Sequence, residues 1–189
     1  MLGAIQKPSE LHDLIQFIKN KPLKKIVEIG TARGGVLYAL CQLADSNATI
    51  VSIDLPNGPF GVGLVVTDDD TFKTFAKDRQ ELHFLQKDSH RESTKKELVK
   101  LLGKSKLDLL FIDGDHTYEG VKKDWEMYSP LVRKGGIVAF HDISFHPKVP
   151  ECQVDKFWKE LKPKYKHIEF IDSTDPTWAG IGVLFYGGK

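Results

Sequence analysis

Glu28, Gly30, Asp54, Asp88, Asp113 and Asp142 each stand where a short apolar run stops. Carboxylates brought together repel one another unless a ligand or a cation uses them, so acids recurring at run ends point to a binding site. The first of these turns reads Glu28-Ile29-Gly30-Thr31-Ala32-Arg33-Gly34-Gly35. It has the strand, glycine loop and helix layout of a nucleotide fold, but not the G-x-G-x-x-G spacing that presses backbone amides against a pyrophosphate. Glu28 would repel a pyrophosphate and suits a cationic or hydroxyl-bearing group instead. Asp54, about two dozen residues on, is where an acid accepts hydrogen bonds from ribose hydroxyls. Together they describe a nucleoside with a charged amino-acid tail. No G-K-[ST] follows the turn, so a P-loop is excluded.

The elements that must hold these residues follow from periodicity. Lys25–Gly30, Ala48–Asp54, His83–Asp88, Leu107–Asp113 and Ile137–Asp142 read as buried strands. Helical spacing lies between them, in Val36, Leu37, Leu40 and Leu43, in Leu98, Leu101 and Leu102, and in Val121, Trp125, Tyr128 and Val132. A leading helix carries Leu11, Leu14, Ile15 and Ile18, with Ser9 as its expected cap. Thr94 and Glu97 have the spacing of a capping box, and Gly135 is expected to close the helix through Val132. Pro56–Gly63 reads as a functional loop, and a helix bearing Phe72 and Phe75 is expected to start near Asp68–Asp70. Val154, Phe157, Trp158 and Leu161 form a last helix before strands at His167–Asp172 and Gly182–Tyr186. Alternating strands and helices predict a mostly parallel sheet covered on both faces, and the final pair an antiparallel hairpin at one edge. In such a sheet, ligands lie beyond the carboxyl ends of the strands.

At 189 residues with 41% hydrophobic residues, the chain can bury a core without staples. Cys41 and Cys152 are far apart and form no C-x-x-C pair, which fits a reducing, cytoplasmic setting. Apolar runs of only a few residues exclude a membrane helix, and the N-terminus breaks into charge before a signal peptide could form. A net charge of +1 argues against a nucleic-acid footprint.

Val27–Gly35, Ser52–Leu55, Phe111-Ile-Asp-Gly-Asp-His-Thr-Tyr-Glu-Gly-Val121 and Pro130–Asp142 resemble class I S-adenosylmethionine-dependent methyltransferases. The I-D-G-D-H-x-Y-E-G stretch is similar to the small-molecule O-methyltransferase-like group, related to sugar and macrolide O-methyltransferases and to cephalosporin hydroxylase-type proteins. The resemblance implies an α/β, three-layer Rossmann-like sandwich whose seven-stranded, mostly parallel sheet has the order 3-2-1-4-5-7-6 and one antiparallel edge strand. It implies one domain over residues 1–189, with residues 1–24 a helical segment packed on the core. It further implies that Glu28, Gly30, Thr31 and Gly34 surround the methionine moiety, that Asp54 holds the ribose, that Asp88 and Ser89 flank the adenine, and that Asp113 lies beside the reacting methyl. In metal-dependent relatives, acids matching Asp113 and Asp142 and the residue before the latter hold a divalent ion. Here that residue is His141, which weakens magnesium and leaves manganese, iron or no metal.

Transfer of a methyl group to a hydroxyl needs the acceptor deprotonated, and Asp115, His116 and His141 are the candidate bases. Each has a plainer reading, Asp115 as a turn residue and the histidines as structural hydrogen-bonding groups. His12, His83, His90, His146 and His167 show no pairing spacing and read as surface or packing residues. Trp178 either lines the acceptor pocket or packs the sheet edge. The competing functions are a cofactor-binding protein without transfer, and an NAD-dependent oxidoreductase on a similar sheet, which the glycine spacing and Glu28 disfavour. The expected acceptor is a small molecule. Little chain remains for a lid, so the acceptor wall is expected from the N-terminal helix, the loop after the second strand, Ile143–Pro150 and Trp178, or from a second subunit of a homo-oligomer.

Overall fold

The computed structural model describes residues 6–56, 58 and 72–188. Apart from Pro56 and Gly58, the loop read over 56–63 and the helix start at Asp68–Asp70 lie outside them. In chain order the elements are α1 (Pro8–Ile18), β1 (Lys25–Ile29), α2 (Gly35–Leu43), β2 (Thr49–Asp54), β3 (Glu81–Gln86), α3 (Glu92–Leu102), β4 (Leu107–Ile112), α4 (Tyr118–Tyr128), β5 (Val132–His141), α5 (Val154–Leu161), β6 (His167–Phe170) and β7 (Ile181–Phe185). The strands form one sheet of order β3-β2-β1-β4-β5-β7-β6. Those from β3 to β5 pair in parallel, and β7 runs antiparallel to both β5 and β6. Sheet and order are those expected.

Alternation along each central strand feeds two apolar layers, because successive side chains point to opposite faces. Val27, Ile29, Leu110, Ile112, Val138 and Phe140 join Leu98, Trp125, Tyr128, Phe157 and Trp158 on one side. Ile26, Ile50, Leu109, Phe111, Ile137 and Ala139 join Leu14, Ile18, Leu37 and Leu40 on the other. Helix α1 is tied down by its buried Glu10, whose two carboxylate oxygens accept from the amides of Asp172 (3.0 Å) and Gly180 (2.8 Å). No helix among the described residues is long and apolar enough to cross a membrane.

Three helix boundaries differ from expectation. Ser9 does not cap α1. Pro8 already fits the first helical turn, Lys7 takes the cap position, and the Ser9 hydroxyl donates to Asp172 at 2.7 Å. Thr94 does not open a capping box, since α3 starts at Glu92 and the buried Thr94 hydroxyl donates to the Asp88 carbonyl at 2.8 Å. Helix α4 ends at Tyr128 because Pro130 lies in the following 3-10 turn, so Val132 opens β5 rather than closing the helix. Gly135 sits within β5 at φ +74°, where its amide donates to the Tyr186 carbonyl at 2.8 Å.

Candidate active site

Strand order reverses at β1, which pairs with β2 on one side and β4 on the other. A cavity of about 300 Å³ opens at the carboxyl ends of these strands. That is the place where open α/β sheets bind ligands. It is lined by Glu28, Gly30, Thr31, Asp54, Asp88, Ser89, Asp113, Asp115, His116, His141 and Asp142. Of the residues singled out from the sequence, Gly34 stands apart. It precedes α2 at φ +77°, and a Cβ there would meet the Phe72 ring at 2.2 Å.

The β1–α2 loop is held by backbone contacts with its neighbours. Gly30 donates to the Ile53 carbonyl and Asp113 donates to the Ile29 carbonyl, both at 2.8 Å. The Thr31 amide donates to Asp54 at 3.0 Å, and the Thr31 hydroxyl pairs with that of Ser52. Gly30 itself lies at φ +86°, with the Asp113 carbonyl oxygen 2.0 Å from where a Cβ would stand.

Glu28 is fully buried, and neither carboxylate oxygen makes a well-formed hydrogen bond among the described residues, with only the Thr31 hydroxyl near enough to act on it. Burial pushes its carboxyl well above the ordinary 4.5. The Thr31 hydroxyl opposes that shift, while the charges of Asp113 and Asp54 add to it. A buried acid left this way costs stability unless a ligand supplies donors or positive charge.

Also in the cavity wall, two acids and two histidines interlock. His116 places Nδ1 2.9 Å from Asp142 Oδ2 and Nε2 3.4 Å from Asp113 Oδ1. His141 Nδ1 lies 3.1 Å from Asp113 Oδ1 and 3.4 Å from Asp142 Oδ2. Burial alone would drive both rings toward their neutral forms. The carboxylates outweigh it, holding His141 up at about 10 and His116 well above its usual range. Burial likewise works against the two carboxylates, but His141 and His116 beside them keep both below the usual range. Asp142 reaches this position at φ +61°, a strained backbone for a non-glycine residue. Asp113, His141 and Asp142 each offer one donor atom within 4.8 Å of the others, so the expected metal set does come together. Two carboxylates and an imidazole suit a divalent ion softer than magnesium.

Asp115 has a second duty. Its Oδ1 accepts from the Thr117 amide at 2.9 Å and the Thr117 hydroxyl at 2.8 Å, a turn that lets Thr117 cap α4. Asp88 also shapes a turn, accepting from the His90 amide at 2.8 Å.

Trp178 lines the cavity rather than only packing the edge, with the Lys7 ammonium 4.8 Å from its ring centre. Its amide donates to the Phe145 carbonyl at 3.0 Å, joining the segment before β7 to the loop after β5. His90 and His146 line the cavity too, which corrects their reading as ordinary surface or packing residues. His90 Nε2 lies 3.4 Å from the buried Asp124 Oδ1, a pairing hidden by 33 intervening positions. Gln6 and Cys152 were not singled out as site residues from the sequence. Gln6 donates to Asp113 Oδ2 at 2.6 Å although the two lie 107 positions apart in sequence, and no local signal announces it.

A methyltransferase-domain family matches residues 27–143. An uncharacterised protein of Sinorhizobium fredii is 27% identical over 167 residues, covering 87% of this chain and 17% of its own length. The chain spans less than a third of the length of the curated relatives it matches. Its fold is similar to that of the O-methyltransferase TomG from Streptomyces achromogenes, involved in tomaymycin synthesis and solved with S-adenosylmethionine. The TM-score is 0.60 at 17% identity, over 98% of this chain and 82% of TomG. An O-methyltransferase from Bacillus cereus, solved with S-adenosylhomocysteine, gives 0.62 at 16% identity, over 97% of this chain and 84% of that one. At such identities the likeness is one of fold. The family match, by contrast, spans more than half of the 189 residues and contains the strand ends that build the cavity, so the chain belongs to the methyltransferase-domain family.

Proposed function

We propose that the chain transfers a methyl group from S-adenosylmethionine to a hydroxyl of a small-molecule acceptor. The observation that carries this reading is Glu28, a buried acid with no well-formed hydrogen bond in the cavity, with Asp54 at the end of the adjoining strand. A cationic amino-acid tail satisfies the first and a ribose the second. The solved O-methyltransferases of similar fold, bound to S-adenosylmethionine or S-adenosylhomocysteine, support the same ligand.

When bound, S-adenosylmethionine supplies a methyl group already activated by its sulfonium, so positioning is the protein's main task. Glu28 would hold the amino group, with Gly30 and Thr31 letting the tail approach the backbone and Gly34 setting the turn into α2. Asp54 would accept from the ribose hydroxyls, and Asp88 and Ser89 would flank the adenine. Asp113 would lie beside the reacting centre. His116 and His141 face the acceptor end, where a base must take the hydroxyl proton. The carboxylates of Asp113 and Asp142 favour the protonated form of both rings, which works against either histidine as a base until an acceptor or an ion changes that balance. Asp115 serves mainly to keep that loop in place. A divalent ion held by Asp113, His141 and Asp142 would acidify a bound hydroxyl. The acceptor wall is Gln6, the loop after β5 and Trp178. The buried free thiols Cys41 and Cys152 fit a reducing, cytoplasmic compartment.

Incubation with methyl-labelled S-adenosylmethionine and fractionated metabolites should move label into a low-molecular-weight hydroxylated compound. Asp54→Ala should cut that transfer at least about tenfold through cofactor binding, the scale of one lost charge-assisted hydrogen bond. Label appearing only in protein or nucleic acid would contradict the acceptor class.

A further inference from the structure

The loop after β5 brings a thiol to the acid–histidine cluster. The Gln153 amide donates to the His116 carbonyl at 2.7 Å, and the Cys152 amide donates to the Val149 carbonyl at 2.9 Å. These bonds fix Cys152, 5% exposed, in the wall of the cavity. A ring nitrogen of His116, a carboxylate oxygen of Asp142 and the Cys152 sulfur all lie within 4.8 Å of one another. Asp142 is shared with the second set, Asp113 and His141.

We propose that His116, Asp142 and Cys152, with Asp113 and His141 beside them, form a site for a borderline divalent transition-metal ion of the zinc or ferrous-iron class. Bonds of about 2.0–2.3 Å put neighbouring ligands roughly 3.0–3.7 Å apart. Within the His116–Asp142–Cys152 set, the His116 Nδ1–Asp142 Oδ2 separation of 2.9 Å already stands close to that spacing. The donor types choose the ion. Magnesium takes hard oxygen ligands in an octahedron, whereas imidazole and thiolate together favour zinc, iron or cobalt. The alternative is that Cys152 is a small apolar residue of the core, where it also touches the layer built by Val154, Phe157 and Phe140. The proposal deepens the transfer reading, because the ion would sit at the acceptor end of the same cavity. Its test, however, does not require transfer.

Cobalt(II) titrated into the full-length protein reports both geometry and sulfur ligation in its absorption spectrum. The expected result is visible ligand-field bands together with a near-ultraviolet sulfur-to-cobalt charge-transfer band, displaced by stoichiometric zinc but not by a large excess of magnesium. Cys152→Ser should lose the charge-transfer band and bind cobalt at least about tenfold more weakly. Cys41→Ser, altering the other cysteine, should keep the band. Asp142→Asn should lower cobalt affinity further. Circular dichroism and S-adenosylhomocysteine binding by each variant establish that it is folded. They also separate failure of the metal site from failure of the methyltransferase reading. No cobalt bands, a charge-transfer band that survives Cys152→Ser, or equal displacement by magnesium would each overturn the proposal.

Discussion

Glu28→Gln stabilises the ligand-free protein while destroying cofactor binding. The carboxyl of Glu28 is pushed well above its ordinary 4.5 by burial, so the folded state holds this proton more tightly than the unfolded chain does. Between the ordinary value and the raised one the folded state therefore binds more protons, and stability falls as pH rises through that window. An amide has no charge to desolvate. The variant should flatten this fall and so be the more stable of the two at the alkaline end of that window, where Glu28 must ionise in surroundings that disfavour its charge. Removing one partner of a buried charged hydrogen-bonded pair typically costs about 2–5 kcal/mol, so S-adenosylmethionine should bind at least about 30-fold more weakly. Urea unfolding across pH and calorimetry read the two effects separately. A variant that is less stable at neutral pH and binds normally would show that Glu28 is a structural acid.

Gly30→Ala is expected to be the most damaging single-methyl change at the site. The residue combines φ +86° with an Asp113 carbonyl oxygen 2.0 Å from the added Cβ, and that oxygen belongs to backbone that cannot rotate away. Left-handed strain of about 1–2 kcal/mol and overpacking of about 1–3 kcal/mol together give roughly 2–5 kcal/mol. Gly135 supplies the control. It has φ +74°, but the nearest atom to its Cβ position is Arg133 Nη1 at 3.8 Å, so alanine there should cost only the strain. Urea midpoints of the two variants decide, and equal losses would mean that the β1–β4 approach is looser than the structure has it.

The acids at strand ends were legible because buried parallel strands carry near-continuous apolar runs, and Leu109 to Ile112 stops cleanly before Asp113. Helix starts were less legible. Ser9 and Thr94 have the composition of caps, yet each hydroxyl is used by a partner on another segment, Asp172 and the Asp88 carbonyl. Composition gives a propensity, and the tertiary partner decides. The same limit hid half of the acceptor wall. Gln6 meets Asp113 across 107 positions, and Cys152 reaches His116 only because a backbone bond from Gln153 closes the loop. His116, Asp113 and Asp142 were found because two short motifs carry them. Their mutual pairing, which holds the histidines charged, needed the register between β4 and β5.

The central claim is that the cavity at the β1–β4 switch point is built for a sulfur nucleoside with a cationic tail. Calorimetry of the purified full chain with S-adenosylhomocysteine, S-adenosylmethionine and NAD tests it most directly. The account predicts one-to-one binding of both sulfur nucleosides, lost in Glu28→Gln, and no heat with NAD. Binding of NAD without either sulfur nucleoside would contradict it.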